Sequence, residues 1–107
     1  MHVLFDQGTP VPLRKFLQNH QVETAFERGW AALKNGELLD RAEQFNFEVF
    51  ITTDQNLCFQ QNLVERKIAI IVLSSTSWPR IQKIGNTISQ LIDTALPSSF
   101  HKITVPY

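Results

Sequence analysis

An α/β domain, in three layers around a mainly parallel sheet of four to five strands flanked by helices, is the fold this sequence predicts. Three observations carry it. Short β-branched and aromatic runs, His2 to Phe5, Phe47 to Ile51 and Ile68 to Leu73, each end abruptly in polar residues. Between and after them lie stretches whose apolar residues recur at helical spacing. Strands alternating with helices favour parallel pairing, because right-handed crossovers place the helices over the sheet faces.

Taken in order, His2 to Phe5 opens into Asp6-Gln7-Gly8-Thr9-Pro10, and Thr9 ahead of Pro10 marks a helix start. That helix is expected to end near Asn19, with Leu13, Phe16 and Leu17 inward and Arg14 and Lys15 in water. Gln21 to Phe26 reads as a weaker strand in which Val22, Thr24 and Phe26 alternate with polar neighbours. Glu27 to Lys34 lacks a clean period and reads as a connecting loop. Asn35 then caps a helix carrying Leu38, Leu39, Ala42 and Phe45, which Asn46 stops. Glu37 falls in its first turn.

Phe47 to Asn56, FEVFITTDQN, is the stretch on which the rest turns: a buried strand that delivers Asp54 to a sheet edge. Gln55 to Leu63 is expected to form a short amide-rich helix, and Ile68 to Leu73 a strand covered on both faces before Ser74 to Ser77. Trp78 precedes Pro79 and is expected outside the helix that Pro79 begins. One long helix then carries Ile81, Ile84, Ile88, Leu91, Ile92 and Ala95 and stops at Pro97. Lys102 to Val105 is expected as a last strand.

At 107 residues the chain fits a single domain able to bury a core, and its 43% hydrophobic and 19% charged content has no low-complexity run to suggest a disordered tail. Ten basic and ten acidic residues cancel, which argues against a duplex-DNA binder led by electrostatics. The single Cys58 allows neither an intrachain disulfide nor a cysteine metal cluster. With no charged leader and long apolar segment at the N-terminus, the expected location is cytoplasmic, with no membrane partner.

In a parallel sheet the strand-to-helix loops open on one side, where ligands bind. Asp6, Asp54 and the Ser74 to Ser77 loop would share that edge, joined by Glu37. Each acid alone has a bland reading: Asp6 as a turn residue, Glu37 as a helix-dipole partner, Asp54 as an N-cap. Together they repel one another unless a cation neutralises them, and an all-oxygen ligand set suits Mg²⁺ or Mn²⁺.

Three blocks in this order, VLFDQGTPVPL, NGELLDRAEQF and VFITTDQNL followed by IAIIVL, resemble the small PIN-like proteins, whose usual form has an LLDE-type opening, an acidic helix start and a TTDxDF block. The resemblance spans Val3 to Ile92. It implies a compact nuclease that cuts single-stranded RNA with a divalent metal, often the toxin of a toxin–antitoxin pair, and a possible antitoxin protein and homodimer as partners. Asp6, Glu37 and Asp54 match the acidic set that holds metal and carries catalysis. Asn56 stands where the pattern commonly has a further aspartate; its carbonyl can still meet the metal or a metal-bound water but adds no charge.

For substrate, Arg28, Lys34, Arg80 and Lys83 fall near the proposed edge and could meet phosphate, although such side chains are commonly solvated surface. Trp30 and Trp78 could stack on unpaired bases or serve as packing anchors. Gln55, Gln60, Gln61 and Asn62 could read base edges or line a polar helix face. The three histidines show no metal-ligand spacing. Two other classes stay open: a noncatalytic binding module, motivated by Asn56, and a phosphorelay receiver, whose acid, phosphoacceptor, hydroxyl and lysine Asp6, Asp54, Ser74 to Thr76 and Lys102 partly imitate.

Overall fold

The computed structural model describes residues 1–57 and 63–107. Most of the expected Gln55–Leu63 helix, with Cys58, Gln60, Gln61 and Asn62, lies outside those residues. Five strands form one all-parallel sheet: β1 (His2–Phe5), β2 (Gln21–Thr24), β3 (Val49–Thr52), β4 (Ala69–Leu73) and β5 (Phe100–Ile103). Their spatial order is β2-β1-β3-β4-β5. Val3 aligns with both Val22 and Val49, Ile51 with Ile71, and Leu73 with Ile103.

Side-chain alternation divides the core into two layers, as the pleat requires. Val3, Phe5, Val49, Ile51, Ala69, Ile71 and Leu73 face one side, where they meet Leu13, Leu17, Ile81, Ile88 and Ile92. Leu4, Phe50, Ile70 and Val72 face the other and meet Leu38, Leu39 and Ala42 of helix α1 (Asn35–Gln44). The three central strands are buried on both faces, so their sequences read as continuous apolar runs. Among the described residues no helix is long and apolar enough to cross a membrane.

Several elements differ from expectation. The segment after Pro10 is a six-residue 3-10 turn, Val11–Phe16, about 12 Å long at the rise of that helix type. The long helix expected after Pro79 is three pieces: α2 (Trp78–Ile81), a 3-10 turn (Gln82–Ile84) and α3 (Gly85–Asp93). Trp78 is inside α2, with Ser77 at its cap position and Pro79 second, where a missing N–H costs nothing. The break falls at Gly85, where a β-carbon would collide with the Phe16 ring. β2 ends at Thr24, and β5 begins at Phe100, two residues before the expected start.

The crossovers also depart from a uniform hand. The step from β1 to β2 runs one way along the sheet and the step from β4 to β5 the other, yet both connections pack on the same face. Two such connections must have opposite hand. α1 carries the step from β2 to β3 across the other face and shares the hand of the β1–β2 connection. The β4–β5 connection has the opposite hand to these two, against the general preference for a single hand. It brings Ile81, Ile88 and Ile92 onto the same sheet face as Leu13 and Leu17.

Candidate functional site

Strand order places the site. From β1 the chain turns to one side of the sheet, and from β2 it returns past β1 to β3, so the loops leaving β1 and β3 diverge and open a crevice between their carboxyl ends. Asp6 is the first residue after β1, and Asp54 the second after β3. The two acids expected from distant positions therefore flank this crevice.

Asp6 is only partly exposed. Its N–H continues the sheet pairing to the Ile51 carbonyl at 3.1 Å. Its Oδ1 accepts from the Thr9 N–H at 3.1 Å and lies 2.7 Å from the Thr9 hydroxyl. That hydroxyl is also 2.9 Å from the Ile51 carbonyl oxygen, and its single proton serves one acceptor at a time. Oδ2 accepts from the buried Thr52 hydroxyl at 2.5 Å. Burial raises the Asp6 pKa above its ordinary value of 3.8, and the hydrogen bonds from Thr52, Thr9 and Gly8 offset part of that rise.

Thr52 joins the two acids. Its oxygen accepts the Asp54 N–H at 3.0 Å while its proton goes to Asp6. The Asp54 carboxylate accepts from the Asn35 side-chain amide at 2.5 Å on Oδ2 and from the Asn56 N–H at 2.9 Å on Oδ1. Gly8 is needed by this close meeting of loops, since a β-carbon there would strike the Thr53 hydroxyl. Asn35 is a residue whose role sequence reading missed. It was expected to cap α1, but Lys34 occupies the cap position and Asn35 spends its amide on Asp54. The spacing carries no signal of this, because the two residues meet only through the fold.

Glu37 lies exposed in the first turn of α1. Among the described residues no three acidic, histidine or cysteine side chains are grouped to hold a metal ion. The structure therefore brings Asp6 and Asp54 together through Thr52 and leaves Glu37 outside their hydrogen-bond network. What remains is an all-oxygen set, the Asp6 carboxylate tied through the Thr52 hydroxyl to the backbone N–H of Asp54, whose own carboxylate is met by Asn35 and Asn56, and each carboxylate oxygen keeps lone-pair capacity beyond the bonds described. That donor chemistry fits one hard cation that keeps several waters. A recess of about 140 Å³, roomy enough for water, is lined by Asp6, Gly8, Trp30, Asn35 and Leu38.

The expected substrate contacts are distributed unevenly. Arg28 pairs with Glu23 at 3.2 Å and lies over the rings of Trp30 and Phe45, each 4.7 Å from its guanidinium carbon. Trp30 is only 7% exposed and packs on Phe45 and Phe47, which makes it a packing anchor. Trp78 is partly buried against Phe16. Arg80 covers the Tyr107 ring at 4.1 Å, and Lys83 donates to the Tyr107 carbonyl oxygen at 2.8 Å. Lys34 is exposed where α1 begins, Asn56 is exposed beside Asp54, and Gln55 donates its amide to the carbonyls of Thr53 and Leu73.

Phe26 is the larger surprise. Expected to face inward from a strand, it is 76% exposed on the turn after β2 and borders a groove that reaches Asp6. Comparison with protein-family models, with curated proteins and with solved structures finds no match to this chain.

Proposed function

We propose that the chain is a divalent-metal-dependent endoribonuclease of the PIN-like kind, cutting single-stranded RNA in the cytoplasm as the toxin half of a toxin–antitoxin pair. One observation carries the reading: Asp6 and Asp54 flank the β1–β3 crevice and are met there by neutral donors, leaving their charge for a cation. Asp6 and Asp54 would hold Mg²⁺ or Mn²⁺, with Glu37 and Asn56 as the outer members of the set. The ion, when bound, would lower the pKa of a water and stabilise charge on the phosphate. Thr52 aims Asp6 Oδ2, and the Asn35 amide aims Asp54 Oδ2. A proton on Asp6 would compete with the cation, so cleavage would rise with pH through the raised Asp6 pKa.

The test is cleavage of a mixed-sequence single-stranded RNA with Mn²⁺, with Mg²⁺ and with chelator. Cation-dependent cutting is expected, falling at least about 100-fold in Asp6→Asn and in Asp54→Asn, in line with losing charge stabilisation at a reacting centre. Wild-type protein that leaves several RNAs intact with both cations would defeat the reading.

The strand order, shared with receiver domains, favours a second reading in which Asp54 accepts a phosphoryl group. Against it, the β4–β5 connection lies on the same face as the β1–β2 connection, where a uniformly right-handed sheet of this order has it on the opposite face. Lys102 also lies within β5 rather than after it. Labelling of Asp54 by acetyl phosphate would favour the receiver; its absence, together with absent cleavage, would favour a noncatalytic module.

A further inference from the structure

Phe26 sits on a turn that leaves it little choice of direction. Ala25 before it is buried and donates its N–H to the Phe5 carbonyl at 2.8 Å. Glu27 after it and Thr24 satisfy one another: the Glu27 N–H reaches the Thr24 hydroxyl at 3.0 Å, and the Glu27 carboxylate accepts the Thr24 N–H at 2.9 Å. Arg14 pairs with the same carboxylate at 2.5 Å. Bonds from Arg28 N to Thr24 O, Gly29 N to Phe26 O and Trp30 N to Ala25 O close the turn, with Gly29 supplying a positive φ of 76°. A large aromatic ring is thus held in water by a turn whose neighbouring backbone groups are hydrogen-bonded on both sides of it.

The ring borders a groove of about 600 Å³, within the range of small-molecule sites, shared with Asp6, Gln7, Thr9, Val11 and Glu27. Val11, 53% exposed, adds a second apolar wall. The polar lining is carboxylate, hydroxyl and amide; none of the lining residues is a cation, and the nearby Arg14 is engaged by Glu27. A phosphate would meet repulsion there. A flat neutral ring carrying amino donors would find a stacking face and acceptors.

We propose that this groove is a nucleobase subsite in which an unpaired base stacks on Phe26, with its amino edge toward the Asp6 side. The proposal rests on the nuclease reading for its substrate class and adds a place where one base is gripped. Because Asp6 lines the groove and also faces the crevice, a base on Phe26 sets the register of the strand relative to the carboxylates. Adenine stacks broadly and carries an amino group, whereas uracil lacks one, so adenine-rich strands are preferred over uracil-rich ones.

The experiment measures binding of end-labelled oligoadenylate and oligouridylate RNA by fluorescence anisotropy with chelator present, so that cutting plays no part. Oligoadenylate is expected to bind more tightly than oligouridylate. Phe26→Ala weakens oligoadenylate about tenfold, in the range of one lost base stack. Phe26→Trp restores binding and adds to the fluorescence of Trp30 and Trp78 an indole signal that the base quenches, read as quenching beyond that of wild type. Leu96→Ala, at another exposed apolar position, leaves binding unchanged. Circular dichroism checks that each variant is folded. Equal binding by wild type and Phe26→Ala, or no binding of either RNA by wild type, overturns the subsite. Phe26-dependent binding without metal-dependent cleavage would keep the subsite and defeat the nuclease.

Discussion

The two ends of the sheet use carboxylates in opposite ways. At the amino end, Glu43 of α1 accepts from the Arg66 guanidinium at 2.9 Å and from the Lys67 N–H at 2.7 Å, and Asp40 meets the same guanidinium at 2.5 Å. Arg66 is 17% exposed on its side chain, so burial and two carboxylates act on it together, and they hold its proton above the ordinary arginine value against the cost of desolvation. At the carboxyl end, Asp6 and Asp54 are met by hydroxyls, an amide and backbone N–H groups, with no described cation bridged to either. The first arrangement neutralises charge and fastens α1 to the chain entering β4. The second orients charge without cancelling it.

The largest expected effect breaks the amino end. Arg66→Met leaves two carboxylates without their cation, one of them partly buried, and should lower unfolding free energy by about 1–3 kcal/mol in a urea titration. Next, Thr52→Val removes the proton donated to Asp6 Oδ2 inside a wholly buried position and should cost about 1–2 kcal/mol by the same titration, with retained fold.

Asp6→Asn sharpens the contrast because its effect has the opposite sign. A carboxyl whose folded pKa is raised binds its proton more tightly when folded, so its contribution is complete below the unfolded value near 3.8 and fades as pH rises through the higher folded value. Thermal unfolding at neutral pH should therefore show Asp6→Asn at least as stable as wild type, with the variant's advantage shrinking as pH falls toward 4. A variant less stable at pH 7 than at pH 4, relative to wild type, would contradict the charge-strain account. The smallest effect is expected at Glu37→Gln, within about 0.5 kcal/mol, since the side chain is exposed and its helix-dipole interaction is weak. Its cleavage rate then reports whether this acid serves the site at all.

Much of the frame was legible because local pattern and tertiary role agreed. β1 coincides with its expected range, and β3 and β4 announced themselves as apolar runs because both of their faces are covered. Asp6 and Asp54 followed from strand ends alone. What was hidden depends on contacts between distant segments. Nothing local to Ile84-Gly85 reveals that Phe16 packs so close to Gly85, or that the helix is broken there although its apolar stripe looks continuous. Phe26 continues the alternation of Val22 and Thr24, and only the reciprocal Thr24–Glu27 bonds turn it outward. Trp30 and Arg28, nominated for substrate, are absorbed by Phe45 and Phe47, residues that come close only after α1 has packed.

The amide that Asn35 lends to Asp54 also stands at an Asn-Gly step, where deamidation would change the charge of the site. Asn35 is followed by Gly36, whose N–H, in the first turn of α1, has no intrahelical acceptor. Attack of that nitrogen on the Asn35 side-chain carbonyl expels ammonia, and water opens the resulting imide to a carboxylate. A donor to Asp54 would thereby become a third negative charge beside it. Stored protein would then drift toward a more negative site, and mass spectrometry of aged samples would follow the conversion residue by residue.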